Sequence, residues 1–149
     1  MPRFTSATLD DLPALCDLLG LLFTQESEFK PDEAAQRRGL STIIGHPEVG
    51  AILVAREGQD IVAMVNLLFT VSTALGERVA LLEDMVVAPS ARGQGTGSAL
   101  LAHAIAWAQD QGVRRITLLT DGDNHAAQRF YAQHGFEAST MVPMRLAWG

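Results

Sequence analysis

The chain has 149 residues, of which 48% are hydrophobic and 19% are charged, and its formal net charge is −6. This length suits one domain, the apolar content excludes a disordered chain, and every apolar run is interrupted before the roughly 18 residues of a membrane span. The acidic balance argues against a nucleic-acid partner, because binding to phosphate backbones depends on clustered Lys and Arg. We therefore expect a single domain over residues 1–149 that binds neither nucleic acid nor membrane.

The cysteine, the histidines and the N-terminal residues bear on compartment and metal content. Cys16 has no second cysteine to pair with, which is typical of proteins in a reducing cytoplasm. The residues that follow Phe4 are polar and predict no secretory signal. The histidines lack the spacing of metal ligands. We expect a cytoplasmic protein without a metal.

The first half of the chain predicts strands and helices in a mixed order. Asp10 or Asp11 can cap the first helix, whose leucines recur at helical spacing. Gly45 and Pro47 end the second helix, and a Gly-containing turn joins the strands of a hairpin. The predicted elements are a strand over residues 3–8, helices over 12–23 and 31–44, and hairpin strands over 51–55 and 61–71.

The second half alternates strands with helices. Pro89 ends one strand, while Gly112 and Gly135 each end a helix. The mixed order predicts an α/β sheet with both parallel and antiparallel pairs. The predicted elements are strands over residues 79–87 and 115–120, helices over 95–111 and 124–134, and final strands over 136–138 and 141–146.

The turn after the strand 79–87 carries glycines at alternate positions, Gly93, Gly95 and Gly97, and leads into a helix. Glycines let backbone N–H groups approach a ligand closely. The start of a helix adds unpaired N–H donors and a partial positive charge. The pattern is typical of a diphosphate-binding turn, although a tight strand-to-helix connection would also use these glycines.

Three kinds of phosphate-binding loop can be compared with this turn. The dinucleotide fingerprint, started at Gly93, needs a third glycine where Ser98 stands. A nucleoside-triphosphate loop needs a lysine that the turn lacks. The pattern Arg-x-x-Gly-x-Gly fits at Arg92, Gly95 and Gly97.

The strand, turn and helix resemble motif A of the GCN5-related N-acetyltransferases (GNAT), whose turn binds the pyrophosphate of coenzyme A. Downstream, Asn124, Phe130-Tyr131 and Gly135-Phe136 stand where that family has an Asn, a Phe-Tyr and a Gly-Phe. The resemblance implies an α/β (α+β) fold with a mixed, mostly antiparallel sheet of six to seven strands and about four flanking helices. It also implies transfer of an acetyl group from acetyl-coenzyme A to a primary amine, directly and within a ternary complex.

The resemblance assigns cofactor contacts to the strand end and the turn. The strand end would face the pantetheine arm, and the turn would hold the pyrophosphate. A core strand and an ordinary surface arginine are the alternatives. The implied cofactor-binding residues are Met85, Val86, Val87, Arg92, Gly93, Gln94, Gly95, Thr96, Gly97, Ser98, Asn124 and Tyr131.

The catalytic candidates are Tyr131, Glu83 and Asp84. In the family, the hydroxyl that matches Tyr131 is the general acid for the departing thiolate; a tyrosine packed under the sheet is the alternative. Neighbouring strand residues face opposite sides, so only one of the two carboxylates can reach the amine. Leu82-Glu83-Asp84 resembles the diamine (spermidine/spermine) acetyltransferases, which favours Glu83 as the base and leaves Asp84 in reserve.

The acceptor side is predicted more coarsely. Glu26, Glu28 and Phe29 follow the first helix, where this family often builds its acceptor wall, but they could equally form a solvated helix end. We expect a small primary amine, polyamine-like or amino-acid-like, and a homodimer. A protein or peptide N-acetyltransferase, or a catalytically silent acyl-coenzyme A-binding sensory module, is the alternative.

Overall fold

The elements of the computed structural model follow the predicted chain order, and the structure describes residues 2–25 and 32–149. The strands are β1 (Arg3–Ser6), β2 (Gly50–Glu57), β3 (Asp60–Ser72), β4 (Glu77–Val87) and β5 (Ile116–Leu118). The helices are α1 (Leu12–Gln25), α2 (Glu33–Gly45), α3 (Thr96–Asp110) and α4 (His125–Ala132). Single 3-10 turns at Leu9–Asp11 and Pro89–Ala91 precede α1 and α3. Among the described helices, none has the length and hydropathy that crossing a membrane requires.

The contacts divide the chain into two units, Met1–Leu119 and Thr120–Gly149. The first unit holds the sheet with α1, α2 and α3, and the second holds α4. The assignment of residues 1–149 to one acetyltransferase domain stays a prediction.

The sheet has the order β1-β2-β3-β4-β5, in which only the β4–β5 pair is parallel. Residues paired directly across antiparallel strands share a face, so Met64 and its partner Val86 lie on one side. Helices α1 and α2 cover that side, and Leu15 and Leu40 pack there with both residues. Helix α3 covers the other face. The mixed, mostly antiparallel α/β fold is thus confirmed.

Helix α1 starts at Leu12 as predicted, but the capping residues before the two N-terminal helices differ from the prediction. The backbone N–H of Thr8 donates to the Asp11 carboxylate over 2.8 Å, so Thr8 caps the 3-10 turn Leu9–Asp11 that precedes α1. Arg56 of β2 donates to the same carboxylate over 2.7 Å and lowers the pKa of Asp11. Helix α2 starts at Glu33 rather than near residue 31, because the Asp32 side chain accepts the N–H of Ala35.

The predicted strands over residues 136–138 and 141–146 are wrong, since neither segment forms a strand. Alternating apolar residues make a strand only where a neighbouring backbone takes their hydrogen bonds, and Pro143 has no N–H to donate. The side chains of Met141 and Met144 are 85% and 93% exposed. The sheet of the described residues therefore has five strands, fewer than the expected six to seven.

Candidate active site

A β-bulge on β4 organises the site. Asn66 of β3 pairs with Asp84, whereas the next residue, Leu67, pairs with Leu82. Glu83 is therefore an extra residue on β4. Simple alternation would place residues 82 and 84 on one face. Because of the bulge, Leu82 lies with Leu67 on the α3 face, while Asp84 lies with Asn66 on the face that α1 and α2 cover.

The bulge also leaves an open backbone edge on β4. The N–H of Ala88 donates to Val62 on β3 over 2.8 Å. By alternation, the backbone groups of Met85 and Val87 point away from β3. The only described partner on that side, β5, pairs with β4 at residues 80–82. The outward edge at Met85 and Val87 is thus not covered by any strand that the structure describes in the first unit.

The turn before α3 has the geometry of an anion-binding turn. Gly93 and Gly95 have φ angles of +77° and +79°, which side-chain-bearing residues rarely adopt. A Cβ at either position would meet no heavy atom within 4 Å, so open space lies beside both. The first N–H groups of α3 have no acceptor inside the helix. The residues of the turn therefore fit the pyrophosphate of coenzyme A.

The polar side chains of this turn stabilise its shape. The Nε of Arg92 donates to the carbonyl of Val87 over 3.1 Å, which agrees with the outward direction of that carbonyl. The Nε2 of Gln94 donates to the carbonyl of Ser90 over 3.0 Å. Thr96 is buried at the start of α3. The fit to a diphosphate therefore depends on backbone groups more than on these side chains.

A cavity of about 300 Å³ lies between α1, α2 and the strands β3 and β4. Its apolar walls include Leu19, Phe23, Leu40 and Ile43. Among the described residues, its polar lining consists of Asp32, Gln36, Asn66 and Asp84. The size and the mixture of apolar walls with a few polar groups are typical of a small-molecule site.

Asp84 is the half-buried carboxyl group of this cavity. The Nδ2 of Asn66 donates to Asp84 Oδ2 over 3.1 Å. Burial raises the pKa of Asp84, and the hydrogen bond from Asn66 lowers it by a smaller amount. Glu83, by contrast, is exposed on the bulge. Asp84 is therefore the carboxylate that faces the cavity.

Two amide atoms in the cavity lack partners. Gln36 and Asn66 are 8% and 4% exposed, and within the described residues neither Gln36 Nε2 nor Asn66 Oδ1 has a hydrogen-bond partner. Neither residue was among the predicted site residues. An asparagine inside the apolar run 61–71 is a signal that sequence reasoning could have used, whereas Gln36 on a polar stretch of helix gives no such signal.

Asn124 and Tyr131 belong to the second unit. The Oδ1 of Asn124 accepts the N–H of Ala127 over 3.1 Å and caps α4. The ring of Tyr131 packs edge-on against Phe130 and Phe136, at centroid distances of 5.2 Å and 5.6 Å. Burial raises the pKa of Tyr131 to about 12, so the phenol is protonated at neutral pH.

The remaining predictions concern the acceptor wall and metals. Glu26, Glu28 and Phe29 lie outside the described residues. Across residues 2–25 and 32–149, no group of three His, Cys, Asp or Glu side chains is placed to hold a metal ion.

The comparisons with known proteins agree with this geometry. The chain is 32% identical over 124 residues to the uncharacterized N-acetyltransferase YhfO of Bacillus subtilis, covering 80% of this chain and 81% of that protein. It is 29% identical over 133 residues to the aminoalkylphosphonate N-acetyltransferase of Salmonella typhimurium, covering 89% and 83%. The solved integron cassette protein HFX_CASS3 from the mobile metagenome of Cole Harbour Salt Marsh has a TM-score of 0.85 and 28% identity, over 99% of this chain and 91% of that one.

A model of the acetyltransferase (GNAT) family matches residues 12–136. This match runs from the first helix through the glycine turn and past α4. The chain therefore belongs to the GNAT family and is an acetyl-coenzyme A-dependent acyltransferase.

Proposed function

We propose that the protein moves the acetyl group of acetyl-coenzyme A to a small primary amine, directly and within a ternary complex. The observation that carries this proposal is the bulge at Glu83. On one short segment of β4 it combines an outward backbone edge, at Met85 and Val87, with a carboxyl group, Asp84, that faces a cavity. Donor and acceptor would therefore meet at β4.

The donor side would be held by backbone groups. When bound, acetyl-coenzyme A supplies an acetyl group activated as a thioester. The outward N–H groups of Met85 and Val87 would bind the pantetheine arm and polarise the thioester carbonyl, as hydrogen-bond donors do at an oxyanion. The turn from Arg92 to Ser98 would bind the pyrophosphate, and the family resemblance adds Asn124 and Tyr131 as proposed cofactor contacts.

The acceptor side would depend on Asp84. An alkylamine has a pKa of about 10 and is protonated at neutral pH. The Asp84 carboxylate attracts that ammonium group into the cavity and then accepts its proton. Its raised pKa makes it a better proton acceptor than an exposed aspartate. Glu83 remains the alternative base, and its exposed position on the bulge favours Asp84.

Tyr131→Phe is expected to lower kcat by about 10²-fold or more, because the variant cannot protonate the departing thiolate. The high pKa of Tyr131 keeps its proton available at neutral pH. The measurement is the rate of free-thiol release under saturating substrates, with acetyl-coenzyme A affinity as the control for an intact site. Unchanged turnover would assign Tyr131 to packing alone.

A small acceptor suits the cavity and one relative. The volume of about 300 Å³ lies at the lower end of ligand pockets. A 29% identical relative is named for aminoalkylphosphonates, which are small amines. Polyamine-like and amino-acid-like compounds are the proposed acceptors, with Glu26, Glu28 and Phe29 in the acceptor wall. A peptide or protein N-terminus is the second candidate.

The test is free-thiol release from acetyl-coenzyme A across a panel of small amines, amino acids, diamines and peptides. We expect release with at least one class of small amine and little with peptides. Acetyl-coenzyme A binding without thiol release across the whole panel would favour a sensory module. Release with peptides alone would favour a protein or peptide N-acetyltransferase.

Location and assembly stay predictions. A cytoplasmic location rests on the single cysteine, and a homodimer rests on the family resemblance alone. Size-exclusion chromatography with light scattering tests the assembly directly.

A further inference from the structure

We propose that Gln36 selects the acceptor, and that the preferred amine carries an uncharged oxygen acceptor, such as an ether, hydroxyl or amide carbonyl, on a short apolar body. This inference rests on the proposed function and, among the small amines proposed there, disfavours diamines and free amino acids. The ammonium group would bind at Asp84 and Asn66, and the oxygen would accept the N–H of Gln36.

The two unpartnered amide atoms carry the proposal. Gln36 Nε2 is a donor and Asn66 Oδ1 is an acceptor. Both residues line the cavity, and both atoms are buried without partners within the described residues. The orientation of the Asn66 amide follows from Asp84, because an ionised carboxylate only accepts and therefore takes the Nδ2 side. Buried polar groups without partners cost free energy, so a ligand that satisfies both atoms recovers that cost.

The charges of the cavity decide which groups can approach. The polar lining residues that the structure describes are the carboxyl groups of Asp32 and Asp84 and the amides of Gln36 and Asn66. The structure describes no Lys, Arg or His among the lining residues. The Asp32 carboxylate already caps α2 through Ala35. A ligand carboxylate or phosphonate would therefore meet negative charge without a cation among the described lining residues to neutralise it.

In the described orientation of its amide, Gln36 presents the donor Nε2 rather than the acceptor Oε1, which disfavours a second cationic group at its position. An ammonium group has donors only, as does the Nε2 of Gln36, so the two cannot hydrogen-bond. A purely aliphatic amine would leave Gln36 Nε2 unpartnered. An uncharged oxygen is the group that satisfies this donor without placing negative charge between the carboxylates.

The apolar walls of the cavity determine the size and polarity of the rest of the ligand. Leu19, Leu40 and Ile43 are apolar and surround the polar groups together with Phe23. A volume of about 300 Å³ admits only a compact molecule. A short amino ether or the amide of a small amino acid meets these conditions.

The experiment compares amines that have equal numbers of non-hydrogen atoms. The set is 2-methoxyethylamine, glycinamide, butylamine, 1,3-diaminopropane and glycine, each tested for free-thiol release from acetyl-coenzyme A. We expect kcat/KM, expressed per concentration of free amine, to be higher for 2-methoxyethylamine and glycinamide than for the other amines by at least about tenfold, because a site built to hydrogen-bond a substrate rejects analogues without the partner.

Variants of Gln36 separate selection from general reactivity. Gln36→Met keeps the length of the side chain without the donor and should bring the ratio of 2-methoxyethylamine to butylamine towards one. Gln36→Glu replaces the donor with a carboxylate and should move the preference to 1,3-diaminopropane. Gln59→Met changes an exposed glutamine in the β2–β3 turn and should leave the wild-type order unchanged. Thermal unfolding of each variant verifies the fold.

The outcomes distinguish the two proposals. Equal kcat/KM for all the amines, or a preference that survives both Gln36 variants, overturns the role of Gln36 and leaves the acetyltransferase proposal standing. No thiol release with any small amine, from protein that binds acetyl-coenzyme A, overturns the proposed function and this inference with it.

Discussion

Gly95→Val is expected to abolish measurable binding of acetyl-coenzyme A while the sheet remains folded. Gly95 has a φ angle of +79° at the N-cap of α3, and a β-branched residue pays about 1–2 kcal/mol in the left-handed region. The backbone would shift away from that conformation and turn its N–H groups out of the diphosphate position. Isothermal titration calorimetry with acetyl-coenzyme A measures the loss, and circular dichroism verifies the fold.

The matched control for this variant is Gly58→Val. Gly58 has a φ angle of +61° in the β2–β3 turn, and open space surrounds it as it does Gly95. The control variant bears similar backbone strain away from the glycine turn and should bind acetyl-coenzyme A normally. Tight binding by a folded Gly95→Val protein would show that the pyrophosphate is held elsewhere.

Asp84→Asn is expected to lower kcat/KM for the amine by about 10²-fold or more, because the variant neither attracts the ammonium group nor accepts its proton. The amide keeps the size of the side chain and can still hydrogen-bond with Asn66. The control is Glu83→Gln, which removes the neighbouring, exposed carboxylate and should retain most of the activity. A larger loss in Glu83→Gln than in Asp84→Asn would assign the base to Glu83.

The pH dependence provides a second readout for Asp84. Burial raises the pKa of this carboxyl above its ordinary 3.8, and only the ionised form can accept the proton. As the pH falls through the raised pKa, kcat/KM of the wild type should fall, and it should fall at a higher pH than an exposed aspartate would produce. Asp84→Asn should lack this acidic limb.

Lowering the pH should have the opposite effect on the contribution of Asp84 to stability: it lowers kcat/KM but favours the folded state. The raised pKa means that the folded state favours the protonated carboxyl, so the stabilisation is full below 3.8 and is lost as the pH rises through the folded-state pKa. At neutral pH the ionised Asp84 is therefore unfavourable for folding. Asp84→Asn should raise Tm at neutral pH, and this gain should shrink in acid.

The sequence pattern did not predict two features of the structure, and the reason is the same for both. These features are the absence of strands at residues 136–138 and 141–146 and the bulge at Glu83. Residues 141–146 alternate like a strand but form none, because a strand depends on a partner backbone as well as on its own pattern. On β4 the apolar pattern correctly predicts a strand. The extra residue at Glu83 becomes visible only through pairing with Asn66 and Leu67, which come much earlier in the chain.

The site residues that act through their backbone could be predicted from the sequence. The requirement for positive φ at Gly93 and Gly95 is local, and the start of α3 follows directly from the apolar periodicity after them. The family resemblance adds the coenzyme A assignment to that turn. Such features depend on a few consecutive residues, so a single sequence suffices to predict them.

The sequence by itself thus determined the order of the main elements, the glycine turn and membership of the GNAT family. Only the tertiary structure decided that Asp84, rather than Glu83, faces the cavity, and that Gln36 and Asn66 join it there. The physical reason is the range of the interactions. Turn conformation is set by neighbouring residues, whereas the bulge and the cavity arise where α1, α2, β3 and β4, distant in sequence, pack together.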